Sequence, residues 1–476
     1  MEPRTHIVAK ALVKKDYIKI SAHCFFLCVA PAMCLLMVWL TPPFQVADEY
    51  AHYFRIYQIS EGQWYGIKFD HRVGGFIPAS LLKTTEAFDN MPHNPQQKLN
   101  WSLWRQTWSI PLCSEQRIAQ DFAGSGFMPP YAYLPQAVGM RMGALFNSPP
   151  ILLFYLGRLA NAFAWCLIVY LAVRFIPTAS WLLTALALAP MSIFQAASLS
   201  YDASINSLSF LFLALILRRA FAADYCLTWK DLFIWMLIVV AIAVAKPFYA
   251  ALALLIFIVP PPFSGKRFHY VKTALFLAIV TAICVGLWIN ARSNYLTYDE
   301  YNPAFRNTQA LMPGTNPSLQ AHYLCNHPGA VLRAGVTDML NVYKYAGWIG
   351  ILGWLDTPFP IWFYFGFGLL VLILVATDRV PGVRIIMWQR VLLAVIAVLA
   401  IASVLVSLYL IFSPVGAPSI RGVQGRYLIP IMPLVLIALH GKLARMPSAW
   451  CYRFVPIFLI MVQVMTIMVV LRRYYY

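Results

Sequence analysis

Charged residues are scarce in this 476-residue sequence: they make up 11% of it, whereas hydrophobic residues make up 61%. Soluble proteins carry about 25% charged residues. The scarcity excludes an ordinary soluble protein and is typical of a chain that crosses a membrane several times. We therefore expect one membrane domain.

The sequence also lacks the motifs of soluble nucleotide-binding and metal-binding domains. It has no P-loop, no G-x-G-x-x-G after a predicted strand, and no Cys/His cluster with metal-ligand spacing. An activated donor, if the protein uses one, is therefore expected to be presented in the membrane. We predict no cofactor, although Asp48, Glu49 and Asp202 could ligate a divalent metal as an alternative.

Acidic residues are half as numerous as basic ones, 18 against 36, which gives a net charge of +18. The basic residues are dispersed between apolar runs, so the charge does not predict a nucleic-acid partner. This distribution is instead the pattern of membrane-topology signals.

The apolar runs predict an all-α fold, a polytopic bundle of about eleven transmembrane helices of roughly 20 residues each. The predicted spans are 18–40, 151–173, 178–198, 203–217, 231–245, 247–262, 273–291, 359–377, 391–411, 427–441 and 454–471. A shorter run at 131–146 contains Arg141. It is predicted to lie along the outer surface, with a full span as the alternative.

The positions of basic residues predict the orientation of these spans. The first run follows Arg4, Lys10, Lys14, Lys15 and Lys19, which places the N-terminus in the cytoplasm. This run lacks a signal-peptide cleavage site and is predicted to be an uncleaved helix. The short loops then assigned to the cytoplasm are also basic; their residues are Arg174, Arg218, Arg219, Lys230, Lys266, Arg267, Lys272, Arg379, Arg384, Arg390, Lys442, Arg445 and Arg453. The outer segments also hold many Lys and Arg, but long loops carry little topology information. The terminal Arg472 and Arg473 would lie outside, against the rule.

Two large segments, 41–150 and 292–358, are extracytoplasmic loops on this threading and are expected to contain short surface helices. Loops longer than about 15 residues are usually functional. Each loop holds one cysteine, Cys113 and Cys325, and an oxidising compartment permits a disulfide between them. Two free thiols are the alternative.

Three tryptophans in the first loop, Trp101, Trp104 and Trp108, fall on one helical face. Aromatic side chains there suit sugar stacking. A helix lying at the membrane interface explains the same pattern.

The stretch TPPFQVADEYAHYFRIYQIS, directly after the first span, is crowded with charge. On a helix Asp48, His52 and Arg55 share one face, and Tyr57 lies on a neighbouring aromatic face. An acid can serve as a base toward an acceptor hydroxyl, and a nearby cation can hold a phosphate. Alternatively, Asp48 and Glu49 complement the helix N-terminus, and Arg55 pairs with Asp48 or a lipid headgroup.

Further polar residues gather at the outer ends of the predicted spans. They are Tyr201, Asp202, Lys246, Trp354, Asp356, Gln424, Arg426 and Tyr427. Each has a structural explanation as well: Asp202 could cap a helix, and Lys246 could snorkel to the interface. Arg426 could anchor a headgroup, and Asp356 could close a turn before Pro358. Ionisable groups beside membrane spans are costly, and their convergence on one face predicts a site.

The elements PPFQVADEYAHYFRIYQIS, SLSYDASINSLSF, ILGWLDTPFP and QGRYLIPIMPL, in this order, resemble a family of bacterial polytopic membrane proteins known mainly as a conserved domain of unknown function. The resemblance covers most of the chain and implies a location in the bacterial inner membrane. That family more distantly resembles the integral-membrane glycosyltransferases of the GT-C fold. The second likeness rests on the acidic pair, on PPYAYLPQAVGMRMGALF, and on the topology.

The likeness to GT-C enzymes implies transfer of a sugar from a polyprenyl-phosphate carrier to an envelope glycan or lipid acceptor at the extracytoplasmic face. It implies that the carboxylate of Asp48 or Glu49 is the catalytic base, without deciding between them. The candidates for holding the donor phosphate are Arg426, Lys246 and Arg55, because cations stabilise the leaving phosphate. The candidate substrate contacts are His52, Tyr57, Tyr201, Asp202, Trp354, Asp356, Gln424 and Tyr427.

Two other functions are compatible with the sequence. A transporter or flippase of lipid-linked saccharide needs polar groups near the bilayer midplane, often with internal repeats. Here the mid-span positions are nearly all apolar. A non-enzymatic scaffold for envelope enzymes would tolerate alanine at both acids of the first loop.

Overall fold

The computed structural model describes residues 20–69, 72–222, 228–259, 267–293, 314–339, 342–380, 382–440 and 449–476. Several residues used for the topology prediction lie outside these ranges: Arg4, Lys10, Lys14, Lys15, Lys19, Lys266, Lys442 and Arg445. Part of the second loop, 294–313, lies outside them as well.

The described chain is mainly helical, which confirms the predicted fold class. The α-helices are α1 Ala22–Leu40, α2 Glu49–Ser60, α3 Ala79–Glu86, α4 Trp101–Thr107, α5 Ala123–Gly126, α6 Leu134–Leu145, α7 Pro150–Phe175, α8 Ser180–Ala187, α9 Pro190–Ala196, α10 Asp202–Ala220, α11 Trp229–Ala245, α12 Arg267–Ser293, α13 Pro317–Asn326, α14 Ala330–Met339, α15 Val342–Gly350, α16 Ile361–Thr377, α17 Met387–Phe412, α18 Met432–Leu439 and α19 Ala449–Tyr474. Three 3-10 helices span Pro130–Tyr133, Pro247–Ile258 and Gly425–Leu428.

Six helices in the described residues are long and apolar enough to cross a bilayer. They are α1, α7, α10, α17, and the Val271–Ala291 and Phe454–Tyr474 parts of α12 and α19. The chain is thus a multi-pass membrane protein by the length and hydropathy of its helices. The count of about eleven spans stays a prediction.

The other predicted spans are shorter or interrupted. The run 178–198 is divided into α8 and α9, and α9 begins at Pro190, which has no N–H to continue the preceding helix. The run 247–262 forms the 3-10 helix Pro247–Ile258. A 3-10 helix rises about 2.0 Å per residue, so this element is longer than an α-helix of the same residue number.

The first loop contains a small sheet that the sequence analysis missed. Strands β1 Ile67–Phe69, β2 Arg72–Pro78 and β3 Arg117–Asp121 pair antiparallel in that order. The strands are short, and Gly74 and Gly75 interrupt the alternation that predicts a strand. A Cβ on Gly75 would lie 2.6 Å from the Gln58 Nε2, so this glycine lets the sheet pack closely on α2.

The helix α2 is the central element of the first loop. The two prolines Pro42 and Pro43 follow the end of α1, and α2 starts six residues later at Glu49. Its residues from Glu49 to Ile59 are all buried. Helix α6, near the end of the first loop, has 12 residues, too few to cross a bilayer.

The end of α19 returns to the first loop. The Leu99 N–H donates to the Tyr474 carbonyl at 2.9 Å, and the Tyr475 hydroxyl donates to the Leu40 carbonyl at 3.1 Å. The ends of α1 and α19 therefore share one side of the bundle, which we call the loop face. Arg472 and Arg473 lie at this face, as the predicted threading requires.

Candidate functional site

Asp48 precedes α2 with a backbone φ of 66°, in the left-handed region that Asp tolerates better than most residues. It occupies the N-cap position, but its side chain makes no capping hydrogen bond. The Arg426 Nη2 instead donates to the Asp48 Oδ2 at 2.8 Å. The Asp48 side chain is 54% exposed and Arg426 is 6% exposed, so this carboxylate faces solvent while its partner is buried.

Glu49, the next residue, is fully buried in a different contact. Arg158 of α7 donates from Nε and Nη2 to the two Glu49 oxygens at 2.8 and 2.6 Å, and the Leu199 N–H adds a third bond at 3.0 Å. The remaining Arg158 donors reach backbone carbonyls of 38–42. Sequence reasoning missed Arg158, although a lone charge inside an apolar span was a signal. Glu49 joins α2 to the membrane helices.

A second acid faces Arg426 from another element. Asp202 begins α10, and its Oδ2 lies 3.8 Å from the Arg426 Nε. The Lys246 Nζ lies 2.5 Å from the Asp202 Oδ1. Lys246 occupies the sharp reversal between α11 and the 3-10 helix Pro247–Ile258, so its amine projects at the loop face. The two buried cations hold Asp202 between them.

These contacts decide among the structural explanations for single residues. Lys246 is buried and paired, so it does not snorkel to the interface. Asp202 is the first residue of α10 rather than its N-cap, and its carboxylate contacts side chains of other elements. Arg426 is buried against two acids instead of pointing to a headgroup. We call Asp48, Asp202, Lys246 and Arg426 the loop-face cluster.

Two amides that sequence reasoning missed orient the Asp202 carboxylate. The Gln195 Nε2 donates to the Asp202 Oδ2 at 3.3 Å, and the Asn206 Nδ2 donates to the Gln195 Oε1 at 2.9 Å. All three side chains are buried. Amide side chains within an otherwise apolar run were the available signal, since buried polar groups are normally hydrogen-bonded.

His52 lies one turn along α2 from Asp48 and borders the cluster. Its Nδ1 lies 2.8 Å from the Tyr133 hydroxyl, and its ring meets Tyr201 edge-on with 5.5 Å between centroids. Burial lowers the pKa of His52 to about 4, against the opposing effect of Asp48 and Asp202. The imidazole is therefore neutral at pH 7 and adds no charge. Tyr133 was not identified from the sequence.

Aromatic rings surround the Lys246 amine. The Nζ lies 4.8 Å from the centroid of the Tyr427 ring and 5.2 Å from that of Tyr201, within the range of cation–π attraction. The Tyr249 hydroxyl donates to the Tyr427 carbonyl at 2.8 Å and fixes this segment. The cluster thus has an aromatic wall beside its buried cation.

The segment that carries Arg426 comes very close to α15. A Cβ on Gly425 would lie 2.6 Å from the Gly347 Cα, so only glycine fits there. In the same segment the Gln424 Oε1 is buried and has no hydrogen-bond partner among the described residues. This orphaned oxygen costs free energy unless something satisfies it.

Two residues predicted for the site point elsewhere on α2. The Arg55 guanidinium donates to the Gln58 Oε1 at 2.5 Å and to the Trp64 and Met128 carbonyls at 2.7 and 3.3 Å. Arg55 therefore holds the first loop together and pairs with neither Asp48 nor a headgroup. Tyr57 faces Glu61: burial, reinforced by that carboxylate, raises the pKa of Tyr57.

The ILGWLDTPFP segment is a β-hairpin apart from the cluster. Strands β4 Ile351–Leu352 and β5 Thr357–Pro358 flank its turn. The Trp354 Nε1 donates to the Phe44 carbonyl at 3.0 Å, and the Arg473 Nη2 lies 3.2 Å from the Asp356 Oδ2. Asp356 thus belongs to the turn before Pro358, as its structural explanation stated, and both residues attach the hairpin to neighbouring segments.

The structure also bears on the predicted alternatives of a disulfide and a bound metal ion. Cys113 and Cys325 are both free, so the bridge that the sequence left open is not formed. Within the described ranges, no group of three or more His, Cys, Asp or Glu residues could hold a metal ion. Asp48, Glu49 and Asp202 do not assemble into one site, because Arg158 engages Glu49.

The tryptophans of α4 pack in series. Trp101 and Trp104 have centroids 5.8 Å apart, Trp104 and Trp108 are 5.6 Å apart, and the Trp104 Nε1 donates to the Tyr155 hydroxyl at 3.1 Å. Trp101 stays 52% exposed. The shared helical face is as predicted, and its contacts attach α4 to α7.

A family model described as a predicted membrane protein, DUF2142, matches residues 32–435, most of the chain. The chain belongs to the DUF2142 family. No curated protein and no solved structure matches it. The sequence resemblance to a family of polytopic membrane proteins is thereby confirmed, whereas the likeness to GT-C enzymes stays a prediction. All four residues of the loop-face cluster fall within the matched range.

Proposed function

We propose that this membrane protein is a glycosyltransferase that moves a sugar from a polyprenyl-phosphate-linked donor to an envelope glycan or lipid acceptor. The loop face would be extracytoplasmic, in the inner membrane of a bacterium with the N-terminus in the cytoplasm. The observation that carries the proposal is a half-exposed carboxylate, Asp48, held directly over a buried guanidinium, Arg426. The pair supplies a base and an anion-binding cation within one contact.

The proposed reaction assigns Asp48 as the base. Its carboxylate takes the proton of the acceptor hydroxyl while the hydroxyl oxygen forms a bond to the anomeric carbon of the sugar. The bond from that carbon to the phosphate oxygen breaks, and its electron pair leaves with the polyprenyl phosphate. Asp48 then returns the proton to solvent. A positioned general base typically contributes about 10²–10⁴-fold to such a step.

Arg426 is assigned to the donor phosphate, because a guanidinium can bind a phosphate through two parallel hydrogen bonds. Lys246 has a supporting role in this proposal, since its amine already forms an ion pair with Asp202 at 2.5 Å. Asp202 and Lys246 together hold Arg426 in place. His52, Tyr201 and Tyr427 line the cluster and are assigned to substrate contact.

Complementation tests the proposal. Cells lacking the gene would receive the wild type, Asp48→Asn or the control Glu61→Gln, with matched membrane levels and with surface glycans read by mass spectrometry. Glu61 caps the far end of α2 and pairs with Arg117, so the control also removes one acid from an arginine pair. We expect a glycan residue to disappear only with Asp48→Asn. Normal glycans in all three strains would reject the enzyme in favour of a scaffold.

A further inference from the structure

The Asp48 carboxylate occupies the place at Arg426 that a donor phosphate needs. The Arg426 Nη2 donates to Asp48, while its Nε has no hydrogen-bond partner among the described residues and faces Asp202 at 3.8 Å. Arg426 is buried, and Asp48 is the exposed member of the pair. An anion arriving from solvent would therefore meet the guanidinium at the position that Asp48 covers.

The two acids of the cluster differ in how firmly they are held. Asp202 is buried. Its carboxylate forms an ion pair with the Lys246 Nζ at 2.5 Å and accepts a hydrogen bond from the Gln195 Nε2 at 3.3 Å. In the part of the chain that the structure describes, the Asp48 carboxylate accepts a hydrogen bond from Arg426 alone. A half-exposed carboxylate held by one contact is released more readily than a buried carboxylate held by several. An incoming anion would therefore displace Asp48 and leave Asp202 in place.

The charges of the cluster limit what can replace Asp48. The two negative charges of Asp48 and Asp202 balance the two positive charges of Lys246 and Arg426. The neighbouring His52 is buried, contacts the uncharged side chains of Tyr133 and Tyr201, and adds no charge to the cluster. A singly charged phosphodiester in place of the Asp48 carboxylate keeps this balance. A diphosphate would add an uncompensated charge beside three buried residues, which is costly.

We propose that the donor phosphate, as a monoanionic lipid-linked phosphodiester, exchanges with the Asp48 carboxylate at Arg426 and thereby frees Asp48 to act as the base. This inference rests on the proposed function. The ion pair is then a resting contact that only the donor opens. Binding becomes ordered: the donor enters first, and the acceptor hydroxyl loses its proton only afterwards. Without a donor, Asp48 stays engaged.

The test measures the binding of a short-chain polyprenyl methyl phosphate, a monoanionic phosphodiester, to the purified full-length protein by calorimetry at low salt. The variants are Asp48→Asn, the control Glu61→Gln, and Arg426→Lys. Asparagine tolerates the left-handed backbone of position 48, so the first variant keeps the local fold. Its amide removes the competing charge. We expect about two- to fivefold tighter binding with Asp48→Asn, the size of a solvent-accessible ion pair.

The other measurements make the outcomes separable. Glu61→Gln is expected to bind within about twofold of the wild type, and Arg426→Lys more weakly, because a Lys cannot hold a phosphate bidentately. The polyprenyl diphosphate should bind the wild type more weakly than the phosphodiester, because its extra charge is not compensated in the cluster. Unchanged or weaker binding by Asp48→Asn, with Arg426→Lys still impaired, overturns the exchange and leaves the proposed function standing. Failure of every form to bind either lipid phosphate overturns both.

Discussion

The adjacent acids at the start of α2 form two ion pairs that differ in burial and in the number of hydrogen bonds they make. Glu49 and Arg158 are both fully buried, and each oxygen of Glu49 accepts a hydrogen bond. Asp48 is half-exposed, and Arg426 beneath it has an unsatisfied Nε. A fully buried pair with all its hydrogen bonds made is suited to holding two elements together, whereas a pair with one half-exposed member and an unused donor changes partners at lower cost. On the proposed function, the difference separates a structural carboxylate from a catalytic one that is its direct neighbour in the chain.

Glu49→Ala should have the largest effect, because it leaves Arg158 charged and buried without a counterion. We expect a loss of about 3–5 kcal/mol of stability, seen as a lower melting temperature in detergent and lower membrane levels. Glu49→Gln, which keeps the shape and some hydrogen bonds, should lose less. A Glu49→Ala protein that accumulates and melts like the wild type would show that this pair is not structural.

Lys246→Met should be the next most damaging change. It removes the closest partner of Asp202, although Arg426 at 3.8 Å still compensates part of the charge, so we expect about 2–3 kcal/mol. Adding Asp202→Leu should restore much of the melting temperature, because no buried charge is then left unpaired. If the two changes simply add, Lys246 and Asp202 are not coupled.

His52 predicts a pH dependence of stability. The folded pKa of about 4 lies below the unfolded value of 6.5, so the unfolded chain takes up the proton first as the pH falls. Stability is full above pH 6.5 and declines toward pH 4, by about 1 kcal/mol between pH 7 and 5.5. His52→Gln should flatten this decline in melting curves at several pH values, while Gln at the exposed His322 should not. Parallel declines in wild type and His52→Gln would assign the effect to another group.

Asp48→Ala should have the smallest effect on stability, about 1 kcal/mol, because its carboxylate is half-exposed and caps nothing, and the buried Arg426 keeps Asp202 at 3.8 Å. The melting temperature in detergent should stay close to that of the wild type even though transfer is lost. A drop as large as that of Glu49→Ala would remove the contrast between the two acids and make Asp48 structural too.

Part of the candidate site was readable from the sequence. Asp48, His52, Asp202, Lys246 and Arg426 were recognised because ionisable side chains stand out beside apolar spans. Arg55, Tyr57 and Asp356 were recognised by the same signal, but the structure places them in contacts that hold loops together. Composition cannot separate these two groups, since both consist of polar residues near span ends.

The residues that were missed have a common feature: their significance comes from a partner far along the chain. Arg158 matters through Glu49, and Tyr133 through His52. Gln195 is the exception, because its partner Asp202 is only seven residues away, across the break between α9 and α10. The small sheet of the first loop was missed for a similar reason, because β3 pairs with β2 across about forty residues of helix and loop.

The sequence by itself determined that this protein is a multi-pass helical membrane protein. Hydropathy is a local property, so each long apolar run predicts a membrane helix without reference to the rest of the chain. It also determined which charges gather near the loop face. Only the tertiary structure decided how those charges pair. Asp48 and Arg426 are 378 residues apart in the chain, and Glu49 and Arg158 are 109 apart. Pairing depends on the packing of helices from distant segments, which buries one acid and leaves its neighbour open to solvent.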